Sequence, residues 1–243
     1  MLNLKSPDMD MGFPGNVDFY VHYEVFDDNS LHIYYSAVTD KATPFNVTNH
    51  AYFNLCGDHS QTVLNDELFI NSLYMTLLNE DTCPTGEIVP IKRKSPFDFY
   101  GKCLFGPRRF KQGKVVGEDI NANDPQIKLG NGYDHNFIIQ NMEKSKKAKL
   151  HPYNNQVNYC AKVHNNESGI TMEVFTTEPG VQLYDSVDLD GSLIGKNGVP
   201  VSSNCGLCLE TQHFPNSPNI AKFPSTILRP EDTFNSITIY KFS

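Results

Sequence analysis

Three side chains in this sequence are of the types that move protons or ligate polar molecules, and each sits in a stretch of alternating character. His50 lies in "TPFNVTNHAYFNL", residues 43 to 55, Asp134 in "NGYDHNFII", and Glu210 in "NCGLCLETQHFPNSPN". An imidazole and a carboxylate that face each other make a general acid–base pair, able to take a proton from one substrate atom and give one to another. In the first stretch, strand alternation puts Phe45, Val47, Ala51, Phe53 and Leu55 on one face and Asn46, Thr48, His50, Tyr52 and Asn54 on the other. That polar row reads either as a solvated strand face or as the floor of a cleft for a sugar, whose hydroxyls both donate and accept hydrogen bonds.

Glu210 shares a face with Gly206, Cys208 and Gln212. A carboxylate in an otherwise apolar strand is costly to bury unless paired, so it either meets a structural partner or lines a cleft. Asp134 and His135 are adjacent in a strand pattern, so only one of them can face a given cleft. Glu178, beside a Pro-Gly turn in "TTEPGVQLYD", reads as an exposed loop carboxylate. Cys205 and Cys208 form a C-x-x-C, yet the pair falls within a strand pattern, faces opposite ways and has no second close pair to complete a zinc knuckle. No metal or redox cofactor is expected, and the sequence holds no glycine-rich phosphate loop or G-x-S-x-G elbow.

The elements that position these groups are strands. Phe19, Val21, Tyr23 and Val25 alternate, Leu31, Ile33, Tyr35 and Ala37 alternate after "DDNS", and the two runs read as a hairpin. A second hairpin joins "NQVNYCAKVH" to "ITMEVFTT" through "NNESG", and further strands are expected at "DHNFIIQ", "CGLCLETQ" and "SITIYKF". No segment sustains a helical period, and 15 Pro and 16 Gly punctuate the chain. The expected architecture is all-β, one sandwich or barrel domain spanning residues 1–243.

The 243 residues carry 20 Lys and Arg against 28 Asp and Glu, a net charge of −8 that opposes nucleic-acid or anionic-membrane binding. The basic run "KSKKAK", residues 144 to 149, is expected to be a solvated loop. No apolar run spans a membrane and the first residues lack a signal-peptide core, so a cytoplasmic location is expected, with six reduced Cys.

Five stretches, in order, resemble the aldose 1-epimerase (galactose mutarotase) family: "TNHAYFNL" at 48–55, "SPFDF" at 95–99, "GYDHNF" at 132–137, "TTEPGVQLY" at 176–184 and "CLETQHFPNSPN" at 208–219. The resemblance implies a large β-sandwich of the galactose mutarotase type with the sugar in an open cleft. It implies Glu210 as general base, His50 as general acid and Asp134 as a ligand of sugar hydroxyls, and it sets Glu178 where many members carry a glutamine that contacts substrate. In the family a further segment ordinarily precedes the region that begins here and carries an arginine and a second histidine in an "HGG"-like motif. Neither is found in this sequence, so the sandwich is expected to be N-terminally shortened, with a strand edge open to homodimer pairing.

The activity so implied is interconversion of α and β anomers of galactose or glucose. A non-catalytic sugar-binding protein is the rival reading. A hexose-6-phosphate substrate would call on cations such as Arg108 and Arg109, or Lys92 to Lys94.

Overall fold

The computed structural model describes residues 1–57, 59–101, 113–140 and 157–243. Arg108, Arg109, Cys103 and the run 144–149 lie outside the described residues. Two antiparallel sheets form its body. The larger orders Leu2–Ser6 (β1), Val17–Phe26 (β2), Ser30–Thr39 (β3), Phe234–Phe242 (β17), Thr171–Thr176 (β11), Asn158–His164 (β10), Glu67–Ile70 (β5) and Lys114–Val115 (β8). The smaller orders Cys208–Gln212 (β15), Gly180–Tyr184 (β12), Asp134–Ile139 (β9), Ser72–Leu78 (β6) and Pro84–Pro90 (β7). Two short ribbons pair Asp190–Ile194 (β13) with Pro200–Ser202 (β14), and Thr43–Pro44 (β4) with Ile227–Leu228 (β16). Among the described residues no helix is long and apolar enough to cross a membrane.

Alternation decides which side of each strand turns inward. Ile33, Tyr35, Leu68, Ile70, Ala161, Val163, Met172, Val174 and Tyr240 come from the large sheet, and Met75, Phe137, Ile139, Val181, Leu183 and Leu209 from the small one. All belong to one buried cluster, which makes the fold a sandwich. Burying a side chain of this size is worth roughly 1.5–3 kcal/mol. The middle of the sandwich, more than its turns, therefore holds the sheets together. The Tyr240 hydroxyl also donates to the Leu209 carbonyl across the layers, at 3.2 Å. At the far end of the large sheet β1 pairs, among the described residues, with β2 alone, and Leu2, Leu4, Tyr23 and Val25 are exposed there.

Both expected hairpins are present: β2 with β3 through residues 27–29, and β10 with β11 through residues 165–170. The expectation for residues 43–55 is corrected. Beyond β4 this segment is not a strand, and among the described residues its isolated bridge is Phe53 with Leu207. Side chains replace the missing ladder. Asn46 donates to the His213 carbonyl and accepts from its amide, each at 3.0 Å, Thr48 donates to the Thr211 carbonyl at 3.0 Å and Asn54 to that of Cys205 at 3.0 Å. Three members of the polar row thus fasten the segment beside β15, where a solvated face or cleft floor was expected.

The turn before β9 is built around Gly132, whose φ of +132° is open to glycine and strained for other residues. A Cβ there would run into the Asp185 carboxylate, which is buried and accepts from the Tyr133 amide at 2.9 Å. Two residues after Gly132 the strand begins, with Asp134 on the outer face and His135 fully buried against Phe97. The Asp134 amide donates to His135 Nδ1 at 3.1 Å, a bond that requires a neutral ring.

Burial pushes the His135 imidazole down to about 4. An unfolded histidine binds its proton near 6.5, so the stability that this neutral ring contributes is complete above that pH and is lost as pH falls toward about 4. The span corresponds to ~3 kcal/mol. His135→Phe is accordingly expected to lose less stability than the wild type between pH 7 and 5, read as urea midpoints. Equal losses in both proteins would refute this.

Candidate active site

The outer face of the small sheet is assembled by register. Asp134 on β9 stands opposite Tyr184 on β12, and Tyr184 opposite Cys208 on β15; one step along, Asn136, Gln182 and Glu210 align in the same way. Their neighbours along the strands, Phe137, Leu183 and Leu209, point into the core. A strand pattern of polar out and apolar in therefore gathers a carboxylate, an amide and a second carboxylate from three adjacent strands. Tyr52 and His50 of the fastened segment close the side next to β15. The result is an open cleft of about 340 Å³ lined by His50, Tyr52, Asp134, Gln182, Tyr184, Asp188, Glu210, Gln212 and Pro215.

At its centre His50 Nε2 lies 3.3 Å from Glu210 Oε1. The two groups differ in environment. The His50 side chain is 48 % exposed, whereas that of Glu210 is 10 % exposed. Burial pushes the Glu210 carboxyl up to about 7, the His50 charge opposes that rise and the Asp134 charge adds to it. The imidazole is flanked by rings, with Tyr52 at 5.0 Å and Tyr184 edge-on at 6.0 Å between centroids. Burial pushes the Tyr184 phenol up to about 12, so it stays a neutral donor to Asp188, at 3.3 Å. Gln182 Nε2 donates to Asp134 Oδ1 at 2.6 Å, which orients both groups toward the opening.

His50, Glu210 and Asp134 are thus brought into one cleft. Glu178 does not line this cleft. Its carboxylate is 4 % exposed and takes a 2.7 Å contact from His213 Nδ1. The exposed-loop reading fails: the fold supplies a histidine partner that the turn motif does not reveal. From this stretch Gln182, four positions on, and Tyr184 reach the cleft. The signal of Gln182 was present in "GVQLY", where it alternates with Val181 and Leu183 and so must face away from the core. Lys92 to Lys94 are exposed and do not line the cleft.

Comparison with known proteins places the chain in a family. The family model described as aldose 1-epimerase matches residues 1–241. The chain belongs to the aldose 1-epimerase family. It is 37 % identical over 238 residues to the galactose mutarotase of Homo sapiens, covering 98 % of this chain and 61 % of that protein. With the aldose 1-epimerase of Escherichia coli (strain K12) it shares 33 % identity over 241 residues, 98 % of this chain and 62 % of the relative. The chain therefore spans about three fifths of the length of these relatives. Among solved structures, an aldose epimerase homologue from C. elegans superposes with a TM-score of 0.80 at 26 % identity, over 99 % of this chain and 64 % of the other. The galactose 1-epimerase from Lactobacillus acidophilus superposes with a TM-score of 0.76 at 28 % identity, over 100 % of this chain and 61 % of the other. The all-β sandwich of galactose mutarotase type is the fold shared by this aldose 1-epimerase family member and its structural neighbours.

Proposed function

We propose that the chain is an aldose 1-epimerase acting on a neutral hexose such as galactose or glucose, with Glu210 as base and His50 as acid. The observation that carries the proposal is the 3.3 Å approach of His50 Nε2 to a buried Glu210 carboxyl on the floor of a polar cleft. Glu210 takes the proton of the C1 hydroxyl as the bond from C1 to the ring oxygen breaks, and His50 gives its proton to that ring oxygen. The aldehyde so formed rotates about its bond to C2, and the two transfers run backward to close the other anomer. No electrons are exchanged, and each well-placed proton transfer is worth roughly 10²–10⁴ in rate.

Asp134 and Gln182 are assigned to the sugar hydroxyls, one as acceptor and the other as both donor and acceptor. A neutral substrate fits the wall better than a phosphorylated one. Asp134, Asp188 and Glu210 would repel a phosphate, and no Lys or Arg lines the cleft among the described residues.

The test is polarimetry on freshly dissolved α-D-galactose. The protein is expected to accelerate mutarotation, with kcat/KM climbing as pH rises through about 7, where Glu210 ionises. A limb near the ordinary carboxyl range would separate the base from Glu210. Saturable galactose binding without acceleration would select the sugar-binding reading instead.

A further inference from the structure

We propose that His50, Cys208 and Glu210 form a binding site for a thiophilic divalent cation of the zinc class. Cys208 and Glu210 stand two residues apart on β15 and therefore share the outer face of the small sheet, Cys208 fully buried and Glu210 lining the cleft, while His50 reaches over from the fastened segment. Their ligand atoms all lie within 4.8 Å of one another. Zinc held at about 2.0–2.3 Å by nitrogen, oxygen and sulfur spaces its tetrahedral ligands roughly 3.3–3.7 Å apart. The pair His50 Nε2 and Glu210 Oε1, at 3.3 Å, already has that spacing. The remaining distance to the sulfur would be closed by rotation of the half-exposed imidazole.

The donor set also balances charge. A thiolate and a carboxylate carry two negative charges, and a neutral imidazole completes a set that suits a borderline-soft dication. A metal ion arriving from the cleft forms the bond to sulfur as the thiol proton leaves to solvent, with no change of oxidation state. Three protein donors leave the fourth position of a tetrahedral ion to water.

The C-x-x-C pattern hid this set. Cys205 precedes β15 and takes no part, and the true companions of Cys208 are a carboxylate two residues on and a histidine 158 positions earlier in the chain.

An occupied site would hold the nitrogen of the acid and the oxygen of the base together, so the cation would act as an inhibitor. That consequence rests on the catalytic reading above, whereas cation binding itself does not.

Cobalt(II) is the probe, added to the full chain under reducing, chelator-free conditions. One equivalent is expected to produce thiolate-to-cobalt charge-transfer absorption that added zinc abolishes. Cys208→Ser should lose that absorption and Cys205→Ser should keep it. His50→Gln, a change at a half-exposed side chain that leaves the core intact, should bind cobalt at least about 100-fold more weakly, since even outer-shell partners of metal ligands are worth about 10–100-fold. No charge-transfer band in the wild type, an undiminished band in Cys208→Ser, or undiminished affinity in His50→Gln would each overturn the site. Zinc should also suppress mutarotation at the concentration at which it displaces cobalt, with recovery on chelation. If the chain does not catalyse mutarotation at all, the cobalt spectra still decide the site while the catalytic reading falls.

Discussion

Glu210→Gln is expected to cut the rate of galactose mutarotation by roughly 10²–10⁴, the worth of a positioned proton transfer. The change keeps the shape of the side chain and its place on β15 but removes the oxygen that receives the C1 proton. A second effect of opposite sign should accompany it. Because burial holds the Glu210 carboxyl up to about 7, the folded state keeps its proton at pH values where the unfolded chain has released it. Folding stability therefore falls as pH rises from the ordinary glutamate range through about 7, and is lowest above it. Glutamine has no proton to lose, so at pH 8 the variant is expected to be more stable than the wild type by ~1–3 kcal/mol, discounted for the cleft's access to water. Polarimetry and urea titration at pH 6 and 8 measure both. Retained activity would remove Glu210 from the mechanism, and an unchanged stability difference between the two pH values would remove the burial argument.

The second large effect is expected from a residue that touches no substrate. Gly206 immediately precedes the Phe53–Leu207 bridge, and its amide and carbonyl are both held by the Ser186 hydroxyl, at 3.2 and 2.7 Å. A Cβ at this position would sit 2.8 Å from the Cβ of Tyr52. No real contact is that close, and Ser186 holds the glycine in place. In Gly206→Ala the segment must therefore give way, carrying Tyr52 and, two residues back, His50. Misplacing a catalytic group by about 1 Å costs on the order of 10² in rate.

The prediction is a kcat lower by roughly 10–100-fold with KM changed far less, because Asp134 and Gln182 stand on strands that the substitution does not push. A purely structural role would move the thermal midpoint and leave the kcat-to-KM split alone. Unaltered kcat would show that the segment absorbs the methyl group without moving its histidine.

Much of this architecture is legible in the sequence because strands write a period of two. Phe19 to Val25 and Leu31 to Ala37 announce the β2–β3 hairpin, and adjacency alone sets Asp134 and His135 on opposite faces, the fold deciding which of them is buried. The same period misleads at residues 43–55. Alternation reports only that successive side chains point to opposite sides, and it cannot tell a backbone ladder from a segment held by Asn46, Thr48 and Asn54. The exposed-loop reading of Glu178 fails for another reason. The Pro-Gly turn beside it is local, but its burial depends on His213, which approaches through folding of distant chain. The company of Cys208 was illegible because its histidine comes from another element entirely.

The lining of the cleft has one more chemical consequence. The proposed reaction sets free an aldehyde at every turnover, the form of a sugar that condenses with primary amines and so glycates proteins. Among the described residues around the cleft there are imidazole, phenol, amide and carboxylate groups, and no lysine. An open-chain hexose held there has no amine within the wall to trap it as a Schiff base, so the ring can close again before the protein becomes its own target.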